Sequence, residues 1–102
     1  MASSCLCPKF EKAFQLLGKR WTGVMIHVLS EGHTRFNEIG EQIPNISQKM
    51  LADRLKDLEQ QGIVERVVFP ETPVRIEYHL TEKGEELYPV MAELQKWAEK
   101  WV

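Results

Sequence analysis

The sequence predicts an α+β fold that is mostly α, with four helices, a β-hairpin and a long last helix in that order. Two patterns support this prediction. Apolar residues recur at steps of three and four up to Gly62, which is the period of an amphipathic helix. The stretches IVERVVF and VRIEYHL then form β-branched runs on either side of the turn PETP. A chain of 102 residues has room for one core, so residues 1–102 are expected to form a single domain.

The N-terminal part of the chain predicts a flexible leader at residues 1–6 and two helices after it. Cys7 and Pro8 open the first helix, because proline is tolerated at the first helical position, and Gly18 ends it. Thr22 is the expected cap of the second helix, and Gly32 stops that helix. Its predicted buried stripe consists of Val24, Val28 and Leu29.

Two short helices on either side of Pro44 predict a helix-turn-helix over residues 35–61. The first covers about residues 35–42, and Pro44 then breaks the chain because proline cannot continue a helix. Ser47 is a strong cap for the second helix. The core-facing stripe of this second helix is Leu51, Leu55 and Leu58.

The predicted hairpin, residues 63–80, follows directly and has the position of a wing in a winged helix-turn-helix. Thr81 caps the last helix, residues 81–102, which Pro89 either kinks or restarts. Apolar residues continue along this helix at alternating steps of three and four. They are Leu87, Val90, Met91, Leu94, Trp97, Ala98 and Trp101.

Composition narrows the classes of function. No apolar run approaches the ~20 residues of a membrane span, and the N-terminus lacks the pattern of a secretory signal, so a cytoplasmic protein without membrane contact is expected. The chain has no glycine-rich phosphate loop, and its three histidines fall on separate elements, so neither an enzyme nor a cofactor is predicted. The net charge of −2 argues weakly against nucleic acid, but a local basic face decides such binding.

The helix after Ser47 has a polar face opposite its leucines. At 100° per residue this face holds Lys49, Asp53, Lys56 and Gln60, with Gln48 and Ala52 beside it. It is either an ordinary solvated surface or a surface that reads the major groove, and the hairpin behind it favours the second interpretation. Asp53 either holds a neighbouring lysine in place or accepts a hydrogen bond from a cytosine amino group. The candidate DNA-binding residues are Arg35, Ser47, Gln48, Lys49, Ala52, Arg54, Lys56 and Arg75.

Three stretches carry a resemblance to a known family: CPKFEKAFQLLGKRWTGVMIHVL, RFNEIGEQIPNISQKMLADRLKDLEQQGIVER and PVRIEYHLTEKGEEL. Together they closely resemble the HxlR-type transcriptional regulators of the MarR-like superfamily over residues 7–101. The resemblance implies a homodimer that binds double-stranded DNA, with a small electrophile or oxidant as effector. It also implies sensing through a cysteine before the first helix, a position that Cys7 occupies. Cys5 departs from the family pattern.

Physical chemistry gives Cys7 two interpretations. A thiolate at a helix N-terminus is stabilised by the helix dipole, and Lys9 and Lys12 add positive charge nearby. Thiolates are the species that react with oxidants and electrophiles. Alternatively, Cys7 is a small capping residue without a redox role. The resemblance favours redox sensing.

The tryptophans of the last helix either close the monomer core or pack across a two-fold axis. Dimerisation is favoured, because three helices already bury the core, and it fits a palindromic operator. The candidate dimer interface is Phe10, Phe14, Leu94, Trp97 and Trp101. Two alternative functions stay open: a metal-responsive winged-helix repressor, in which Cys5, Cys7 and a histidine bind zinc, and a winged helix used only for protein–protein contacts.

Overall fold

A computed structural model describes residues 7–102 and confirms the predicted winged helix-turn-helix with a two-stranded wing and a long C-terminal helix. The leader at residues 1–6, with Cys5, lies outside the described residues. The elements are α1 (Pro8–Leu17), α2 (Thr22–Ser30), α3 (Phe36–Glu41), α4 (Gln48–Gln60), β1 (Val64–Phe69), β2 (Arg75–Leu80), α5 (Glu82–Glu85) and α6 (Leu87–Trp101).

The core lies around α2, which contacts α1, α3, β2 and α6. Apolar side chains from α2, α3, α4 and the start of the wing meet there, and burial of each stabilises the fold by about 1.5–3 kcal/mol. The predicted leucine stripe of α4 is confirmed as part of this core. The buried set is Met25, Ile26, Val28, Leu29, Ile39, Ile43, Leu51, Leu55, Leu58, Ile63 and Val64.

Two predictions about α2 are wrong. Trp21 is the N-cap residue, with a left-handed φ of 75°, and Thr22 is the first helical residue and is buried. In the predicted stripe, Val28 and Leu29 are buried as expected but Val24 is exposed, and Met25 and Ile26 are fully buried instead. The segment TGVMIHVLS is apolar on nearly every side, so its periodicity does not identify the face that the neighbouring elements cover.

Hydrogen bonds hold the N-termini of both helices of the helix-turn-helix. Oε1 of Glu38 accepts the backbone N–H groups of Arg35 at 3.1 Å and Thr34 at 3.3 Å, and these two hydrogen bonds lower the pKa of the Glu38 carboxyl. The Ser47 hydroxyl accepts the Met50 N–H at 3.0 Å, which confirms Ser47 as the cap of α4. The rotation and start of α4 are therefore well defined.

The wing is an antiparallel pair in which Val64 lies opposite Leu80 and Phe69 lies opposite Arg75. The Tyr78 N–H donates to the Thr34 carbonyl at 2.8 Å, so β2 is joined to the loop before α3. Because opposite residues share a face, Val64, Tyr78 and Leu80 lie on one face of the wing and pack against the core. The wing is thus held in a set position beside the helix-turn-helix.

The last helical segment is divided into α5 and α6 at Glu86, three residues before Pro89. Pro89 is the third residue of α6, where a missing N–H costs little. The Thr81 hydroxyl accepts the Gly84 N–H at 3.1 Å and confirms Thr81 as the cap of α5. The same hydroxyl donates to the Gly62 carbonyl at 2.6 Å, which ties α5 to the end of α4.

The close approach of α5 to the wing predicts that Gly84→Ala lowers the free energy of unfolding by about 1–3 kcal/mol. A Cβ at Gly84 would overlap the Ile63 carbonyl oxygen and lie 3.1 Å from Leu80 Cδ2. Gly23→Ala in α2 is the matched control, since its Cβ would meet Met91 Sδ at an ordinary 3.5 Å. Urea unfolding followed by circular dichroism measures both, and equal effects would contradict this account.

Candidate nucleic-acid interface

The polar side chains predicted to read DNA lie on the exposed surface of α4. Gln48, Lys49, Ala52 and Lys56 are all exposed, and the buried leucines occupy the opposite side of the helix. Gln48 and Lys49 are the first two residues of α4, so they project from its N-terminal turn. A recognition helix contacts base edges with residues of this turn. Ser47 adjoins them and holds the turn through its cap.

Asp53 is paired with Lys49, as one of the two sequence-based interpretations predicts. The Lys49 Nζ lies 3.2 Å from Asp53 Oδ2, at the i,i+4 spacing of a helix. Lys49 nevertheless stays 86% exposed, so the pair is open to water and weak. A DNA phosphate or a guanine can therefore compete with Asp53 for this ammonium group.

Arg54 occupies a different side of α4. It lies roughly 140° around the helix axis from Lys49, because five residues separate them. Its Nη1 donates to Asp57 Oδ2 at 3.3 Å, and Lys19 Nζ, just after α1, binds the same oxygen at 3.1 Å. Asp57, which sequence reasoning missed, therefore links α1 to α4. The spacing of three residues between Arg54 and Asp57 was the sequence signal that could have predicted their ion pair.

Arg75 lies in the wing and is held by three neighbours. Its Nη1 donates to Glu77 Oε2 at 2.6 Å, its Nη2 donates to Glu71 Oε2 at 3.0 Å, and its guanidinium lies 4.0 Å from the centroid of the Phe69 ring. Arg75 is 29% exposed, so part of it still reaches solvent. Arg66, an exposed cation on β1, is a further wing candidate that sequence reasoning did not single out, although its charge within IVERVVF was visible.

The structure thus places the predicted residues in three groups. Ser47, Gln48, Lys49, Ala52 and Lys56 share α4 and its cap, whereas Arg54 lies on another side of the same helix. Arg35 is the exposed cap residue of α3, and Arg75 belongs to the wing. Cations are therefore present at α3, on α4 and on the wing. The arginine side chains of α4 and β2 are each paired with a carboxylate.

Cys7 is exposed and is the N-cap residue of α1, as predicted. Its carbonyl accepts the Glu11 N–H at 3.1 Å, and its side chain makes no capping hydrogen bond, so its thiol is not engaged in holding the helix. Phe10 follows within one helical turn. The edge of its ring meets the Phe14 ring, with 4.8 Å between the centroids.

An apolar groove runs between α1 and α6. Neither helix contains a fully buried residue, although both are amphipathic. Trp97 and Trp101 are 58% and 66% exposed, so the interpretation in which they close the monomer core is wrong. The predicted interface residues Phe10, Phe14 and Leu94 line this groove together with Ala13, Leu17 and Val90.

The described part of the chain also gives evidence on metal binding and on membrane crossing. Among residues 7–102, no three histidine, cysteine or acidic side chains are grouped so that they could bind a metal ion. None of the helices in this range is both long enough and apolar enough to cross a membrane.

Comparison with protein families gives a match to the HxlR-like helix-turn-helix over residues 16–102. Among individual proteins, the HTH-type transcriptional regulator YodB of Bacillus subtilis (strain 168) is 62% identical over 96 residues, which cover 94% of this chain and 86% of YodB. The uncharacterised HTH-type transcriptional regulator YvaP of the same organism is 50% identical over 102 residues, covering 100% of this chain and 94% of YvaP.

Solved structures show the same similarity in three dimensions. The reduced form of B. subtilis YodB superimposes with a TM-score of 0.86 at 62% identity, covering 94% of each chain. Diamide-treated and quinone-bound YodB each give a TM-score of 0.81. The redox regulator HypR in its oxidised form gives 0.83 at 37% identity, over 92% of this chain and 96% of HypR.

The geometry of α4 predicts different effects for two of its side chains. Gln48→Ala should relax base preference at one position per half-site, at a cost of roughly 1–3 kcal/mol per contact. Lys56→Ala should weaken binding to all sequences alike and flatten the salt dependence, because a lysine–phosphate contact releases counterions. Selection of duplexes from a random DNA pool, followed by titrations at several salt concentrations, measures both effects.

Lys96→Ala is the matched control for charge, because Lys96 is an exposed lysine of α6 outside the helix-turn-helix. It should leave the affinity and its salt dependence unchanged. Wild-type base preference and salt dependence in both α4 variants would show that this helix does not read DNA.

Proposed function

The chain belongs to the HxlR-like helix-turn-helix family of DNA-binding transcriptional regulators, which are not enzymes, and from this premise we propose a redox-responsive homodimer. The dimer reads a palindromic operator in the cytoplasm and responds to electrophiles or oxidants through Cys7. The single observation that carries this proposal is the position of the Cys7 thiol. It is exposed at the start of α1, directly before the phenylalanines that line the apolar groove.

The reading of DNA is assigned to α4 and the wing. The major groove admits one α-helix, and α4 offers Gln48 and Lys49 in its first turn, where glutamine can pair with adenine and lysine with guanine. Ala52 allows the helix to approach the bases closely, and Ser47 and Lys56 are placed for phosphates. Further backbone contacts are assigned to Arg35, Arg54 and Arg75.

Dimerisation is supported by the amount of apolar surface that one chain leaves in water. Soluble monomers rarely expose a large contiguous apolar patch, and such patches mark interfaces. Here Phe10, Phe14, Leu94, Trp97 and Trp101 are all more than half exposed. A second copy of the chain, packed on α1 and α6 about a two-fold axis, would cover them. The two α4 helices would then serve successive major grooves about 34–36 Å apart.

The proposed chemistry of Cys7 has two forms. With a quinone, the thiolate sulfur bonds to a ring carbon, the ring electrons move to a carbonyl oxygen, and proton transfer leaves a hydroquinone thioether. With diamide, two thiols lose two electrons and two protons to the N=N bond, which becomes a hydrazine while a disulfide forms. The YodB structures obtained after diamide treatment and with bound quinone make both reagents suitable probes.

The cysteine content restricts the disulfides that this chain can form. The chain has two cysteines, Cys5 and Cys7, so a disulfide between subunits must join two of these N-terminal thiols. Such a bond or a bulky adduct would act next to Phe10, at the groove. It would change how α1 packs on the second subunit and hence the spacing of the two α4 helices.

Two alternative functions predict different results. A metal-responsive repressor would bind operator DNA in a zinc-dependent manner, insensitive to diamide in the presence of excess metal. A winged helix used only for protein contacts would recover no common sequence from a random DNA pool. Selection with and without a thiol oxidant therefore separates these functions from the proposed one.

The dimer proposal predicts that Leu94→Ala combined with Trp97→Ala weakens self-association by roughly 2–4 kcal/mol, because buried aromatic residues dominate interfaces. Both side chains are mostly exposed within one chain, so the thermal unfolding of the separated subunit should change little. Val74→Ala, which removes an equally exposed apolar side chain from the wing loop, is the control. Sedimentation equilibrium measures the association, and a monomeric wild type at micromolar concentration would contradict the proposal.

The sensing proposal predicts that Cys7→Ser abolishes the response of operator binding to diamide and to a quinone, whereas Cys5→Ser retains it. The expected difference follows from the helix dipole, which acts on the residue at the N-terminus of α1. Operator affinity is measured before and after treatment for wild type and both variants. A full response in Cys7→Ser would remove the sensing role and leave the DNA-binding role intact.

A further inference from the structure

One face of the wing carries a row of alternating charges. Arg75, Glu77 and His79 occupy every second position of β2, and Phe69 lies opposite Arg75 on β1. Glu77 bridges the other two, because its Oε2 accepts from Arg75 at 2.6 Å and its Oε1 lies 2.8 Å from His79 Nε2. Both oxygens of Glu77 are therefore used within the wing.

Two carboxylates bind the Arg75 guanidinium, and their surroundings differ. The Glu77 side chain is 14% exposed and comes from the same strand as Arg75, so it is held by the sheet. The Glu71 side chain is 54% exposed and comes from the loop between β1 and β2. Glu77 is therefore a fixed partner, whereas Glu71 is a partner that water and solutes can reach.

The remaining hydrogen-bonding capacity of Arg75 also bears on its role. A guanidinium has five N–H donors, and the two bonds to Glu77 and Glu71 use one donor on each terminal nitrogen. The Nε is buried and has no partner among the described residues. The Arg75 Cζ lies 4.0 Å from the centroid of the Phe69 ring, so the ring packs against the guanidinium. The guanidinium is therefore oriented by its neighbours, and each of its terminal nitrogens keeps one unused N–H donor.

We propose that Glu71 and Glu77 act on DNA binding in opposite directions through Arg75. Glu77, with Phe69, positions the guanidinium, while Glu71 occupies the place that a DNA phosphate takes in the complex. This inference rests on the proposed function only in that Arg75 contacts DNA. In the free protein the Arg75–Glu71 pair is an internal competitor, and a phosphate, which arginine binds with two parallel hydrogen bonds, displaces the carboxylate.

The opposite signs distinguish this arrangement from a general effect of charge. Removal of any carboxylate near DNA reduces repulsion, so simple electrostatics predicts tighter binding for both Glu71→Gln and Glu77→Gln. The proposed arrangement predicts tighter binding for Glu71→Gln but weaker binding for Glu77→Gln, although both variants lose the same charge. Glu65→Gln measures the general effect, since Glu65 is exposed on the same face of the wing, opposite His79.

The experiment uses the full chain and a duplex selected from a random pool with the wild-type protein, at one fixed salt concentration. We expect Glu71→Gln to lower Kd about two- to fivefold, the range for an exposed ion pair, and Glu77→Gln to raise it at least as much. Glu65→Gln should change Kd less than either variant. Each substitution is repeated in an Arg75→Ala background, where both effects should shrink to that of Glu65→Gln.

Several outcomes would overturn the inference. They are tighter binding by Glu77→Gln, no gain in Glu71→Gln beyond that of Glu65→Gln, or a gain that persists without Arg75. Thermal unfolding identifies any variant that fails to fold. If Glu77→Gln fails to fold, the double-mutant cycle of Glu71→Gln and Arg75→Ala tests the inference by itself. Wild-type affinity in Arg75→Ala would instead show that Arg75 does not contact DNA, which removes that part of the proposed function.

Discussion

The burial of Leu51, Leu55 and Leu58 fixes the rotation of α4, and most of the functional surface depends on that rotation. Because these leucines point into the core around α2, the side chains half a turn away must point to solvent. The chain leaves α4 after Gln60 and turns at Gly62, which has a left-handed φ of 77°. It then enters the buried Ile63 and Val64, so the same core also fixes where the wing begins. The helix proposed to read DNA and the wing beside it are therefore positioned by one set of apolar contacts.

A slightly acidic protein can bind DNA when its cations are placed locally. In this chain many of them are placed by carboxylates: Lys49 by Asp53, Arg54 and Lys19 by Asp57, and Arg75 by Glu71 and Glu77. Such pairs lower the net charge, and they also restrict the conformations of long side chains before DNA arrives. The exposed pairs are weak enough for phosphates to displace them.

The surface formed by α1 and α6 has the opposite character. There α1 and α6 expose an apolar groove, and Cys7 stands at the start of the helix that forms one wall of it. In the proposed sensing role, a change at that thiol would act first on the packing of α1. Two connections lead from there towards α4: the groove, which would control the relation between subunits, and the Lys19–Asp57 ion pair within one chain. Neither connection includes Gln48 or Lys49, the residues proposed to read bases.

The sequence by itself determined the order of the elements, because caps, breakers and apolar periodicity are local features. Pro8, Ser47 and Thr81 begin helices where their local chemistry indicates, and the polar face of α4 follows from its leucines. Local features could not show that Val24 is exposed, since α2 is apolar on nearly all sides and only its neighbours select the buried face. Nor could they show that Trp97 and Trp101 lie outside the monomer core, or that Asp57 binds Lys19, just after α1. Those facts depend on which surfaces of distant segments meet, and tertiary packing alone decides that.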